Sequence, residues 1–470
     1  MNEKKRLIKN TAIIAIGNIS TKLISFFLLP LYTTLLSTSD YGTFDYILNI
    51  ATFCVPFVSV LMDESIFRFL IDCKDKKDIK KVISTAGIVV MTGIILFTAI
   101  GIPVMEGLHY SYTYYAILYI LLNVVFGMLN ALLRGIGRTD QFALFNFFLG
   151  AFQIVLNVLF IAVLRLGLTG MLLASIISQL IVSLIIILKI HLWEYISFSC
   201  ATVQLAKEMV IYSLPLIPNK VSWTIINLSD RIILMNVMGS HAAGLYAVSY
   251  KFPNLMDTVY GFFYQSWKES SARVIGDDAQ NDFYNSVYRY LKNIMFSLVI
   301  GMTAFMPFVF RVLINKNYSE AIYYTPILLM ATYFSNISGF YGGIFTAYKD
   351  TKIMGTTTVT AAILNLSLNL MMISHFGIYA AAISTLAANF SVYVYRRIKV
   401  ARYIQLQENS KNSIISAITT ILVFTLFYSE NTLYSIISCF IAAFYAVVTN
   451  YKIFDLMLKQ IKVKVRKYIL

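Results

Sequence analysis

Cysteine is scarce here and shows no paired spacing. Cys54, Cys73, Cys200 and Cys439 give no support to a disulfide framework or a zinc site. Histidine is equally sparse: His109, His191, His241 and His375 form no spaced ligand pair, and loop or span-end roles suit them better than a metal. The chain has no G-x-x-x-x-G-K-[ST] phosphate loop, no H-E-x-x-H and no other catalytic signature. It therefore reads as neither an enzyme nor a single-chain ATP-driven pump, and no cofactor is expected. Charge is the largest deficit. Only 13% of residues are charged, against about 25% in an ordinary soluble domain.

What replaces charge is apolar surface. The 470 residues are 58% hydrophobic with a mean hydropathy of +0.72, which predicts an all-α polytopic membrane protein. The formal charge of +15 does not point to nucleic acid, because the basic residues lie between apolar runs. MNEKKRLIKN and the apolar run after it look like a signal peptide, but the run continues through Ser37. That exceeds the ~7–15 residues of a signal sequence core, so an uncleaved first span is expected.

Apolar runs near 20 residues mark spans. They fall at 10–36, 43–71, 81–104, 112–133, 142–164, 168–189, 208–238, 243–266, 290–314, 321–347, 353–374, 377–395, 412–429 and 432–450. About 14 transmembrane helices follow, with both termini on one side. CKDKKDIKK, RGIGR, YKDTK, RRIKVAR and both chain ends put most of the 38 Lys and Arg on that side. The positive-inside rule makes it the cytoplasm. The connections near 190–207 and 267–289 read as amphipathic cytoplasmic linkers. The tail KQIKVKVRKYIL is either a segment lying on the anionic inner leaflet or an ordinary topogenic tail. The opposite loops are too short for the external domain that a polysaccharide polymerase or ligase would need.

Two matches suggest an internal repeat. RLGLTGMLLASIISQ (165–179) resembles HFGIYAAAISTLAAN (375–389) at a shift of 210. LSTSDYGTFDY (36–46) resembles MGSHAAGLYAV (238–248) at a shift of 202, with Gly42 on Gly244. The second shift lays Asn18, Lys22 and Ser25 on Lys220, Thr224 and Asn227. Helices one to six would then repeat in parallel as seven to twelve, an architecture that places a transport site between the halves near mid-membrane. The expected division is 1–190 (N-lobe), 191–207 (linker), 208–400 (C-lobe) and 401–470, two additional helices with a basic tail.

Charges inside spans are costly, by a contested ~2.5 to over 10 kcal/mol, and usually face a polar cavity or a partner. The span 208–238 carries Lys220, Asp230 and Arg231, and Lys220, Thr224, Asn227 and Arg231 share one helical stripe. Such a stripe lines a path for something anionic, or forms a polar seam of paired charges; both readings stand. Helix two carries Asp45, Asn49, Asp63, Glu64 and Arg68. Arg68 either pairs with Glu64 at i, i+4 or reaches the headgroups. Helix eight carries Lys251, which can snorkel, and Asp257 among Tyr250, Tyr260 and Tyr264. The deep cations Lys22, Arg68, Lys220, Arg231 and Lys251 thus come from helices one, two, seven and eight, as do the deep acids. Most of the 32 Tyr and 34 Phe fit interface belts, while Trp223 and Tyr264 are candidates to stack on sugar rings.

LLPLYTTLLSTSDYG (28–42), the Lys22 helix, the Glu64/Arg68 helix, YSLPLIPNKVSWTIINLSDRIIL (212–234) and GLYAVSYK (244–251) together resemble a family. It is that of the polysaccharide-repeat-unit (Wzx-like) flippases of the multidrug/oligosaccharidyl-lipid/polysaccharide exporter superfamily. The resemblance spans almost the whole chain. It implies a 12-helix two-lobe core around an alternately open cavity, plus the C-terminal pair, in a bacterial cytoplasmic membrane. The implied substrate is an undecaprenyl-diphosphate-linked oligosaccharide, surrounded by membrane lipids. A proton or sodium ion would be the coupling ion, and polysaccharide polymerase machinery a protein partner. Lys22, Arg68, Lys220, Asn227, Arg231 and Lys251 would meet substrate, and Asp63, Glu64, Asp230 and Asp257 would be ion-coupling candidates. The extra helices also resemble those of peptidoglycan-precursor (lipid II) flippases, the nearest rival. A drug/cation antiporter is more distant, since its substrates would meet a cationic cavity. A non-transporting scaffold with structural charge pairs is the alternative outside transport. On the transport reading, Lys220→Ala and Arg231→Ala each reduce surface polysaccharide at unchanged protein level.

Overall fold

The chain is described from a computed structural model that covers residues 28–73, 75–107, 111–276, 280–348, 350, 352–407 and 410–469. Helix one with Asn18, Lys22 and Ser25 lies outside the described residues, as do the side chains of Trp223 and Asn227. Every regular element among the described residues is a helix. The helices are α1 (Leu29–Leu35), α2 (Thr38–Ser59), α3 (Met62–Asp72), α4 (Lys76–Gly107), α5 (Thr113–Gly135), α6 (Thr139–Asn157), α7 (Gly167–Ile190), α8 (Val203–Ser213), α9 (Leu216–Val237), α10 (Gly239–Ser249), α11 (Lys251–Arg273), α12 (Gln280–Leu313), α13 (Ala321–Ala347), α14 (Lys352–Phe376), α15 (Ile378–Val400), α16 (Ser410–Tyr428) and α17 (Thr432–Ile469). Nine helices among the described residues are long and apolar enough to cross a membrane, and the bent pair α2–α3 makes a tenth. Each of the expected spans after the first coincides with a helix or a broken pair of helices.

Three spans that read as continuous are broken. The run 43–71 bends by 51° between α2 and α3, where Val60 and Leu61 both adopt φ near +50°. Left-handed backbone costs a residue with a Cβ about 1–2 kcal/mol, so this corner is held by its surroundings. Pro56 lies one turn earlier inside α2 and cannot donate a backbone hydrogen bond. Ser59 closes the corner: its hydroxyl donates to the Val55 carbonyl at 2.9 Å and accepts from the Leu61 amide at 3.1 Å. The run 208–238 breaks at Leu214–Pro215 into α8 and α9, and 243–266 breaks at Tyr250 into α10 and α11. The expected linker at 267–289 is mostly helix, since α11 runs to Arg273 and α12 starts at Gln280.

Packing separates the chain into Met1–Ala247 and Val248–Leu470. The first unit takes in α8, α9 and most of α10 along with the preceding helices. Its core joins α2, α3, α4, α5 and α7 through Val58, Met62, Ile66, Ala86, Val90, Leu133, Val182 and Ile186, with Met209 from α8. Ser65 ties α3 to α8 by donating to the Met209 carbonyl at 2.8 Å. Gly42 of α2 and Gly244 of α10, the pair matched by the 202-residue shift, lie against each other. A methyl on Gly42 would strike the Ser240 carbonyl, and one on Gly244 the Thr38 carbonyl.

The second unit is organised around aromatic residues. Trp267 of α11 is buried, stacks on Phe340 of α13 with centroids 4.4 Å apart, and donates its indole N–H to the Phe340 carbonyl at 3.0 Å. Tyr284, Tyr288, Tyr341 and Phe345 are fully buried around it. These rings pack inside the second unit.

Candidate functional site

The charged stripe of α9 is divided by its surroundings. Toward its C-terminal end, Arg231 is 7% exposed. Its Nε donates to Asp45 Oδ2 of α2 at 2.6 Å. Asn49, one turn along α2, donates to the same carboxylate at 3.1 Å and to the Asp45 carbonyl at 2.7 Å. Tyr246 of α10 lies with its ring 5.9 Å from the Arg231 guanidinium and donates its hydroxyl to Asp230 Oδ2 at 2.8 Å. Asp230 is 2% exposed. Two carboxylates, a guanidinium and a phenol thus form one buried network. Thr38 and His241 are hydrogen bonded beside it, joining the starts of α2 and α10.

Lys220 is different. It is exposed and stands 11 residues before Arg231 on α9, about 16 Å along the axis toward the start of the helix. Thr224, between them, donates to the Lys220 carbonyl at 3.0 Å. Asp63, half-buried in the first turn of α3, is within electrostatic reach of Lys220 and of Glu64. Asp63 and Glu64 both stand in the first turn of α3, where the helix dipole favours carboxylates.

Sequence candidates thus fall into distinct environments. The structure brings Arg231 together with Asp45, which the sequence marked as a deep acid but not as a site residue, and Asp230 with Tyr246, which the sequence missed. A partner 186 residues away leaves no local signal. Arg68 does not pair with Glu64. It pairs with Asp72 at 2.6 Å, with both side chains largely exposed. Lys251 opens α11 and Asp257 lies two turns on, both half-buried in the second unit. Arg396, which read as part of a loop cluster, is 2% exposed. It donates to Thr357 Oγ1 at 3.0 Å, Thr358 Oγ1 at 3.3 Å and the Ser338 and Met354 carbonyls. Among the described residues no cluster of His, Cys, Asp and Glu could hold a metal ion.

Among the described residues the chain is all-helical, with many apolar spans, three broken runs that carry charged residues and a buried ion network, the architecture of a polytopic membrane protein. Solved structures give that architecture a class. A lipid II flippase, MurJ, in an inward closed conformation superposes with a TM-score of 0.70 at 14% identity, covering 95% of this chain and 100% of its own. An inward-facing multidrug resistance MATE family transporter of the MOP superfamily superposes with 0.68 at 15% identity, covering 83% and 98%. An outward-facing MATE transporter gives 0.57 at 13% identity, covering 85% and 96%. The fold is therefore that of the multidrug/oligosaccharidyl-lipid/polysaccharide exporters. A sequence search of curated proteins finds no match. The model of the polysaccharide biosynthesis protein family matches residues 7–267, more than half of the sequence, and the chain belongs to that family.

Proposed function

We propose that this protein is a flippase that moves undecaprenyl-diphosphate-linked oligosaccharide repeat units across the bacterial cytoplasmic membrane for surface polysaccharide assembly. It works by alternating access, with a proton or sodium ion as the coupling ion and both termini in the cytoplasm. Its lobes are residues 1–190 and 208–400. The family supports the polysaccharide role. The observation that carries the transport reading is Lys220, an exposed ammonium in the broken run 208–238 that the sequence reads as a span. It lies 17 residues from the end of α9 at Val237, about 25 Å below the outer end and near the basic-side face of a ~30 Å hydrocarbon core. A diphosphate entering from the cytoplasmic leaflet arrives at that depth. An exposed charge there implies water or substrate rather than lipid.

Asp63, close to Lys220, would hold the vacant site near neutrality and is the leading coupling carboxylate. Lys22, Arg68, Asn227 and Lys251 stay substrate-contact candidates, with Glu64, Asp230 and Asp257 as further coupling candidates. Arg231 acts from the buried network. The lipid II reading is favoured by one observation, the near-complete structural coverage of a lipid II flippase, C-terminal helices included. A scaffold accounts for the Asp45–Arg231 pair but not for exposed Lys220.

The deciding experiment is a deletion strain analysed for lipid-linked sugar on the cytoplasmic side, with identification of the sugar. Accumulation of a polysaccharide repeat unit is expected. Accumulation of lipid II instead moves the assignment to the rival, and no accumulation of either rejects a flippase.

A further inference from the structure

The second unit contains a polar cavity of about 410 Å³ at the start of α12, lined also by Gln407 and by the first turns of α16. Asp282, Asn285, Arg289 and Lys292 of α12 face Gln407 and Ser413 across it. Asn285 holds the wall in place. Its carbonyl oxygen accepts from the Gln407 amide at 2.6 Å and its side-chain N–H donates to the Gln405 carbonyl at 3.1 Å. Lys292 donates to the Ser413 hydroxyl at 2.8 Å, joining α12 to the first turn of α16.

Depth identifies what the cavity meets. The 34 residues of α12 span about 50 Å, and a ~30 Å hydrocarbon core needs roughly 20 residues. Counting roughly 20 back from Arg311 at the outer end reaches Leu291. Arg289 and Lys292 therefore stand where lipid phosphates lie, in the leaflet on the side of the basic loops. Asp282 is seven residues before Arg289, about 10 Å farther into water, and repels an anion toward the Lys292 end. The exposed stripe Ile414, Ile418 and Ile421 begins one residue after Ser413 and runs down the bilayer-facing side of α16. A guanidinium and an ammonium at headgroup level, above an apolar stripe, match a phosphate attached to acyl chains.

We propose that this cavity binds the phosphodiester headgroup of an anionic phospholipid, fastening the C-terminal helix pair to α12. The site belongs to the second unit, whereas Lys220 belongs to the first, and it does not depend on the identity of the transported lipid. The test uses full-length protein in zwitterionic nanodiscs, titrated with phosphatidylglycerol and read by native mass spectrometry. Saturable binding is expected, weakened about fivefold by Arg289→Gln or Lys292→Gln and roughly 25-fold by both, from the usual effect of one basic residue near an anionic surface. Ser413→Asp, which shortens neither cation, is expected to weaken binding similarly, and Asp282→Asn to tighten it. Wild-type affinity in the double variant and in Ser413→Asp overturns the proposal. Displacement by inorganic phosphate at matching concentration reassigns the cavity to a free anion. Displacement by polyprenyl phosphate below the phosphatidylglycerol concentration reassigns it to the carrier lipid.

Discussion

Removing the Arg231 side chain leaves the Asp45 carboxylate facing a buried gap, with Asp230 close by in the same network. Breaking one partner of a buried pair costs about 3–5 kcal/mol. Arg231→Ala is therefore expected to lower the melting temperature and the amount of folded protein in the membrane, measured by fluorescence-detected size exclusion. This differs from the outcome the bare sequence suggests, in which protein level stays constant; burial makes the difference. The pair Asp45→Asn with Arg231→Gln keeps the shapes and removes both charges, and should recover much of the stability. Lys220→Ala touches an exposed side chain and should reduce surface polysaccharide at unchanged protein level. Wild-type polysaccharide in that variant would count against Lys220 as a substrate contact. Sequence could place both cations on one helical stripe, because 100° per residue is a local property. It could not distinguish them, because their surroundings are supplied by α2, α3 and α10.

At the scale of elements, α2 meets α10 through two glycines whose missing side chains set the approach. Gly42→Ala or Gly244→Ala drives a methyl into a backbone carbonyl, which cannot rotate away as a side chain can. Each is expected to cost about 1–3 kcal/mol and to weaken the Thr38–His241 contact, read as a lower melting temperature. Gly343→Ala in α13 instead meets the Trp267 indole and should break its hydrogen bond to the Phe340 carbonyl, visible as a change in tryptophan fluorescence. The spans themselves were legible, because hydrocarbon thickness imposes apolar runs near 20 residues. The breaks were less so. Pro56 and Pro215 signal interruptions, but the α2–α3 corner falls four residues beyond Pro56, on Val60 and Leu61, which carry no turn chemistry. The RRIKVAR cluster was read by charge alone, and only packing shows that Arg396 turns inward while Arg397 reaches the Leu406 carbonyl.

For the molecule as a whole, an even number of crossings returns the chain to its starting side. Fusions of a fluorescent protein and of alkaline phosphatase at either end should give fluorescence and no phosphatase activity. The reverse result at one end would mean an odd number of spans. The corner between α2 and α3 bears on how such a protein would move. A glycine there would make a loose joint, free to swing. Val60 and Leu61 hold left-handed backbone against their own side chains, and Ser59 braces both sides. The corner is therefore a crank rather than a hinge: tilting α2 swings the start of α3, and Asp63 with it, through a fixed angle. Leu61→Gly relieves about 1–2 kcal/mol of backbone strain but deletes a buried side chain worth about 2–5 kcal/mol, so it should lower the melting temperature and slow any step that needs the torque passed on.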